Sequence, residues 1–176
     1  AMIRYPLIAV AVLGLVACSP PAGGGDPASP EGPATEQASA DQAPFTTRAL
    51  SDLITERGAE AALGDLLAAP EDPRWQATLD GISEGDISWM ASAAPLVPFF
   101  DGEAAESGFA AFAHALALEP VTVLSSVGPD GMASVCEPYP PEETAAKQTA
   151  LMAVPDDSPV VALRDECLTL LSGEPT

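Results

Sequence analysis

Apolar residues recur with helical spacing along the chain from Phe45 onwards. Leu50, Leu53 and Ile54, for example, fall on one face of a helix. No segment alternates apolar and polar residues with the period of two that marks a half-buried strand. Glycine and proline interrupt the helical pattern at intervals of about 12–20 residues. The pattern therefore predicts an all-α fold, either an irregular orthogonal helical bundle or a short helical array of about six to eight short helices.

Residues that favour helix starts stand where the apolar pattern begins. Thr46 or Thr47 is expected to cap the first helix, because a side-chain oxygen there can accept a hydrogen bond from a free backbone N–H. Asp72 and Asp86 are expected to cap two further helices in the same way. Ser158-Pro159 is expected to cap the last helix.

The segment that opens at Asp101-Gly102 carries the cleanest helical stripe, formed by Ala105, Phe109, Phe112 and Leu116. Most of its other positions are alanine, so both faces of this helix can be buried and we predict that it is central. Pro120 is expected to begin a short apolar helix, followed by a turn over Gly128-Pro129-Asp130-Gly131.

The first 44 residues have a different composition. Arg4 precedes an apolar run from Leu7 to Val16, which is too short to span a bilayer and is typical of a signal peptide. Residues 19–44 contain six prolines and lack Val, Ile, Leu, Met and aromatic residues. Such a segment cannot bury enough apolar surface to offset its ordering entropy. We therefore expect a signal peptide over 1–17, a disordered tether over 18–44 and a single acidic helical domain over 45–176.

The quartet Leu15-Val16-Ala17-Cys18 joins the apolar run to the tether. It resembles the lipobox of bacterial lipoprotein precursors, in which the cysteine takes the lipid. The resemblance implies cleavage before Cys18 and lipidation of Cys18, and the alternative is an ordinary signal peptide cut nearby. Ser19 stands where enteric lipoproteins kept in the inner membrane carry Asp, so the resemblance implies an outer-membrane anchor facing the periplasm.

The charge of the chain limits its partners. The whole chain has six basic and 26 acidic residues, a formal net charge of −20, and loss of Arg4 with the signal peptide would make it −21. This charge excludes nucleic acid as a partner, because nucleic-acid binding depends on Lys and Arg at phosphates. It also repels anionic lipid headgroups, so the membrane would be reached through the lipid on Cys18. A cationic protein partner would be attracted.

Two cysteines remain after lipidation. Cys136 and Cys167 would lie in an oxidising compartment, where we expect a disulfide between them, with two buried free thiols as the alternative. A metal site built on these cysteines is not expected, because His114 is the only histidine and no CxxC motif occurs.

Candidate catalytic groups are few. His114 lies among alanines with no GxSxG motif elsewhere, so a helix residue without a catalytic role is the preferred interpretation. Glu103 and Glu106 are the carboxylate pair that a glycan hydrolase would need, although the helix dipole alone favours Glu early in a helix. The acidic segment Asp80–Asp86 lacks the alternating acids of an EF-hand loop, and we expect turns and caps there without calcium.

Trp75 and Trp89 have helical spacing with aliphatic neighbours, so we expect core residues, with binding anchors as the alternative. The cadence of these tryptophans and of the paired cysteines, from about Trp75 to Leu168, loosely resembles small helical envelope proteins with no known activity.

The sequence thus favours an outer-membrane-anchored periplasmic lipoprotein. We expect it to be non-enzymatic, to need no cofactor or metal and to bind another protein, as an inhibitor or immunity protein or an assembly accessory. The alternative is a cell-wall glycan hydrolase that uses acidic residues.

Overall fold

Eight α-helices and one 3₁₀ helix follow one another in the part of the chain that the structure describes. The computed structural model describes residues 44–69, 72–138 and 140–173. Its helices are α1 (Thr47–Arg57), α2 (Ala59–Leu67), α3 (Pro73–Ser83), α4 (Ile87–Ala93), the 3₁₀ helix (Ala94–Phe99), α5 (Gly102–Ala115), α6 (Pro120–Val135), α7 (Pro141–Met152) and α8 (Val161–Ser172). No strand occurs in these ranges, so the prediction of an all-α fold with short helices is confirmed.

Three of the predicted caps begin the helices as expected. Thr46 Oγ1 accepts a hydrogen bond from the Ala49 backbone N–H at 3.2 Å. Asp72 accepts one from the Arg74 backbone N–H at 2.9 Å, and Asp86 accepts one from that of Ser88 at 2.7 Å. Each side chain thereby satisfies a backbone donor that has no partner within the helix.

The central position of α5 is confirmed by its packing against both α3 and α6. Phe112, which is fully buried, has the largest side chain among the fully buried residues that the structure describes. The buried positions of α5 also include Ala104, Gly108, Ala111 and Ala115. Because these residues are small, the neighbouring helices can approach the α5 backbone closely.

The predicted turn over residues 128–131 is only partly correct. Gly128 is the sole non-helical residue inside α6, with φ 60° and ψ −169°, and the helix resumes at Pro129 and continues to Val135. A positive φ suits glycine. Proline suits the first helical position after the break, where a missing N–H costs no hydrogen bond. The segment is therefore a kink within α6.

The start of the last helix was predicted too early. Ser158 lies in a turn, where its carbonyl accepts a hydrogen bond from the Val161 backbone N–H at 3.1 Å. Helix α8 begins at Val161. Arg164 on α8 fastens this turn through hydrogen bonds to the Val154 carbonyl at 2.8 Å and to Asp156 at 2.7 Å. The turn is thus part of the packing between α7 and α8.

The predicted signal peptide and nearly all of the predicted tether, including Cys18, lie outside the described residues. Within the described ranges, no helix has both the length and the apolar character that crossing a membrane requires.

Candidate functional site

Three aromatic rings form a continuous row. Trp75 of α3 meets Phe100 edge to face, with ring centroids 6.0 Å apart. Phe100, just after the 3₁₀ helix, meets Phe109 of α5 in the same way at 5.4 Å. Edge-to-face contacts add stability beyond the area they bury. The row therefore joins the residue that follows the 3₁₀ helix to α3 and α5.

Two glycines leave room for the rings of Phe100 and Phe109. A Cβ atom at Gly108 would overlap the ring of Phe100, and one at Gly131 would lie 2.8 Å from Phe109 Cε1. At both positions the Cβ atom would come closer to the ring than an ordinary van der Waals contact, so the rings occupy space that only glycine leaves open. The position of Phe109 therefore depends on α6 as well as on α5.

Four shallow, open clefts surround the aromatic row. The kink cleft, of about 460 Å³, lies where Pro98, Phe100 and Phe109 face the α6 break at Gly128 and Asp130. The α5 cleft, of about 330 Å³, is also lined by Phe109, together with Glu106 and Glu137. Two further clefts, of about 340 and 200 Å³, adjoin Phe100 and Trp75 respectively.

Every ionisable side chain that lines these four clefts is acidic. The lining residues include Asp130 in the kink cleft, Glu106 and Glu137 in the α5 cleft, Glu60 and Asp101 in the Phe100 cleft, and Asp72 and Glu103 in the Trp75 cleft. None of the five bases in the described ranges lines them. The clefts therefore combine aromatic or aliphatic walls with negative rims.

Asp72 is the one acid in this set that pairs with a nearby base. Arg74 Nε donates to Asp72 at 2.9 Å, and this side-chain hydrogen bond, with that from the Arg74 backbone N–H, holds the pKa of Asp72 below its usual value. Asp72 consequently stays ionised while its charge is compensated locally. Glu103 supplies the uncompensated charge of the Trp75 cleft.

The candidate carboxylate pair does not share a cleft. Glu103 lines the Trp75 cleft together with Ser107, whereas Glu106 lines the α5 cleft together with Phe109. A glycosidase needs its two carboxyl groups on either side of one scissile bond. The described clefts do not provide that arrangement for Glu103 and Glu106.

The other sequence candidates lie apart from these clefts. His114 is exposed on α5 and lines none of the four. Asp86 caps α4, and Asp80 accepts from Gln76 Nε2 at 2.7 Å. Within the described ranges no group of three His, Cys, Asp or Glu side chains is placed to hold a metal ion.

The two tryptophans have different environments. Trp75 is buried, as predicted for a core residue, and its Nε1–H donates to Ser107 Oγ at 3.2 Å. Trp89 is half-buried between Gly81 and Phe45, with a centroid distance of 6.1 Å to the Phe45 ring. Both pack against other parts of the domain and neither projects as a free anchor.

The predicted disulfide is present in the structure between Cys136, at the end of α6, and Cys167 of α8. Their Cα atoms are 5.3 Å apart, and both residues are fully buried. Met132 Sδ lies 3.4 Å from Cys136 Sγ and covers the bridge. The disulfide therefore joins α8 to the end of α6 that follows the kink.

Sequence reasoning did not single out Lys147. Its side chain is only 2% exposed on α7, and burial lowers the pKa of its ammonium group, while the charge of Glu143 one turn earlier acts in the opposite direction. It lines none of the four clefts, so its position indicates a structural rather than a chemical role. A lysine within a polar, alanine-rich helix gives no sequence signal of such burial.

Lys147→Met is expected to raise the free energy of unfolding at pH 7 by about 1 kcal/mol, because a buried charge is replaced by an apolar side chain of similar length. Both states of the wild type are protonated at low pH, so the cost of burying the charge is then fully present. As pH rises through the lowered folded-state pKa, the folded protein loses its proton before the unfolded chain does, and wild-type stability increases.

Urea unfolding of both proteins between neutral pH and the ordinary lysine pKa of 10.5 checks this expectation. The difference between them should narrow as pH rises. A Lys147→Met protein that is less stable than the wild type at pH 7 would show that the ammonium group contributes net stability.

Comparison with protein-family models, with curated proteins and with solved structures finds no match to this chain.

Proposed function

We propose that this chain is a lipid-anchored protein of the bacterial envelope that binds a cationic protein and has no catalytic activity. The lipid on Cys18 would hold it at the outer membrane, and the folded domain would face the periplasm. Inhibition of a cationic envelope hydrolase, immunity against one, or an accessory role in assembly all fit this mode of action.

The observation that carries the proposal is the charge of the clefts. Four concave surfaces adjoin the aromatic row, and the ionisable groups that line them are all acidic. Aromatic residues surrounded by charged rims are typical of protein-binding surfaces. Charge of one sign speeds the encounter with a partner of opposite sign.

The separation of Glu103 and Glu106 argues against the glycan-hydrolase alternative. Each lines a different cleft, and neither cleft contains the pair of carboxylates that a glycosidase places around one scissile bond. A nucleophile in one of the four clefts would need a base beside it. The exposed His114 lines none of these clefts and so is not placed to be that base. Binding remains the function that the arrangement of side chains supports best.

The anchor is tested by Cys18→Ser. Wild-type protein expressed in bacteria should incorporate labelled palmitate and fractionate with membranes, whereas Cys18→Ser should incorporate none and appear in the soluble fraction. The acyl chains on Cys18 would anchor the wild type, since each buried methylene contributes about 0.8 kcal/mol, and Cys18→Ser would lack these chains.

A Cys136→Ser variant serves as the control, since the resemblance to the lipobox concerns Cys18 alone. It should still incorporate palmitate. Absence of label from the wild type would contradict the anchor and leave an ordinary signal peptide as the explanation of residues 1–17.

Binding is tested by passing envelope extract over the immobilised full chain at low salt and eluting with a salt gradient. The proposal predicts that a basic protein is retained and that moderate salt releases it, because screening weakens attraction between exposed charges. If every retained protein is acidic, or if salt releases none, the proposed function is wrong.

A further inference from the structure

The kink in α6 removes one helical hydrogen bond beside the kink cleft. In an unbroken helix, the carbonyl of Ser125 would accept a hydrogen bond from the N–H of residue 129. That residue is Pro129, which has no N–H, and Gly128 already departs from helical geometry. Ser125 also lines the kink cleft.

Much of the lining of the kink cleft is apolar. Val97, Pro98, Phe100 and Phe109 line it, and Asp130 stands among the lining residues as the only charged one. The volume of about 460 Å³ falls in the range of sites that hold small ligands or a few side chains. The cleft thus offers apolar contact and one carboxylate.

Phe109 connects this cleft to the α5 cleft. It lines both, and the α5 cleft holds the carboxylates of Glu106 and Glu137. The two clefts, which share Phe109 and are together called the groove, thus combine one aromatic ring with Asp130 in the kink cleft and Glu106 and Glu137 in the α5 cleft. Gly131 fixes the position of that ring, because a Cβ atom there would lie 2.8 Å from Phe109 Cε1.

We propose that this groove, from Asp130 across Phe109 to Glu106 and Glu137, binds an extended segment of a partner protein in which an apolar residue is flanked by lysine or arginine. The inference rests on the proposed function and names the site through which it acts. Charge complementarity identifies the occupant, since the groove contains three carboxylates and no base.

Each part of such a segment matches a part of the groove. The apolar side chain covers Phe109 and Phe100, where its burial removes apolar surface from water. The basic residues on either side reach Asp130 in one direction and Glu106 with Glu137 in the other. Their methylene stems lie along the rings while the charged ends stay at the rim.

The test uses the full chain and three labelled synthetic peptides, with binding followed by fluorescence anisotropy. The first peptide repeats Lys-Leu-Lys, the second has serine in place of each leucine, and the third has glutamate in place of each lysine. We expect the first to bind most tightly, the second about tenfold more weakly because it lacks apolar contact, and the third not at all.

Two sets of substitutions with equal charge change locate the site. One set is Asp130→Asn, Glu106→Gln and Glu137→Gln, which lie in the groove. The control set is Glu56→Gln, Glu142→Gln and Asp157→Asn, which are exposed and line none of the described clefts. The groove set should weaken binding of the Lys-Leu-Lys peptide by about tenfold, and the control set by about twofold or less.

Gly131→Ala displaces the Phe109 ring without changing charge. In this variant, binding of the leucine peptide should approach that of the serine peptide, with an unchanged circular dichroism spectrum as evidence that the domain is folded. If the circular dichroism spectrum changes, Phe109→Leu, which removes the ring while keeping an apolar side chain, replaces it in the same comparison.

Three results would contradict the proposal that the groove is the binding site. They are equal weakening of peptide binding by both sets of charge substitutions, equal binding of the leucine and serine peptides, or no binding of any basic peptide. Equal weakening with a basic protein still retained from envelope extract would leave the proposed function standing and place the contact elsewhere. A groove that binds the peptide while no basic protein is retained would refute the proposed function instead.

Discussion

Replacement of Cys136 and Cys167 by alanine together is expected to lower the free energy of unfolding by about 3–4 kcal/mol. The bridge spans a sequence separation of 31 residues, and in the chain-entropy model it stabilises the fold by restricting the unfolded chain. It also joins α8 to the end of α6, so its loss should loosen α7 and α8 first.

Urea unfolding of the double variant and of the wild type measures this difference, and hydrogen exchange locates it. Wild-type protein treated with reductant should behave like the double variant. Titration of free thiols in the oxidised, denatured domain from residue 45 onwards should find none. Two reactive thiols, or a double variant as stable as the wild type, would contradict the stabilising role of the bridge.

Phe112→Ala is expected to lower the free energy of unfolding by about 3–5 kcal/mol. Phe112 is fully buried on α5, which packs against both α3 and α6, so removal of its ring leaves a cavity among three helices. Neighbouring helices cannot close such a cavity without breaking other contacts, and the lost burial is added to the cost of the cavity.

Met152→Ala is the matched control. It also shortens a large apolar side chain on a helix, but Met152 is 67% exposed, and its replacement should change stability by less than about 0.5 kcal/mol. Thermal or urea unfolding compares the three proteins. Equal stability of Phe112→Ala and Met152→Ala would show that α5 is not the centre of the core.

Helix order and helix starts could be predicted because they depend on neighbouring residues. Thr46, Asp72 and Asp86 bond to backbone donors two or three residues away, a pattern that is visible in sequence. The exact start of α8 could not be predicted, because the turn before it depends on Arg164. This residue lies within α8 and forms hydrogen bonds back to Val154 and Asp156, eight to ten residues earlier.

The clefts could not be predicted because they depend on contacts distant in sequence. Phe109 appeared only as part of an apolar stripe, yet its ring meets Phe100 and Gly131. Nothing in the sequence indicated that aromatic rings lie close to Gly108 and Gly131, since a glycine alone does not show which side chain approaches it. The turn over 128–131 was recognised as a break, but its continuation as helix depends on packing against α5 and α8.

The acidic character of the chain was evident from composition, whereas its arrangement was not. A charge of −20 is compatible with a uniformly solvated surface. The structure places acids around an aromatic row and keeps the bases out of the clefts. That separation of acids from bases, rather than net charge, leads from an acidic domain to the proposal of a binding protein.

The most direct test of that proposal is the association rate of the full chain with its purified envelope partner as a function of salt. Raising ionic strength from about 0.01 to 0.15 M shortens the Debye length from about 30 to 8 Å. The proposal predicts that the association rate constant then falls at least about tenfold while the dissociation rate constant changes much less. An association rate constant that does not change with salt would contradict electrostatically assisted binding to a cationic partner.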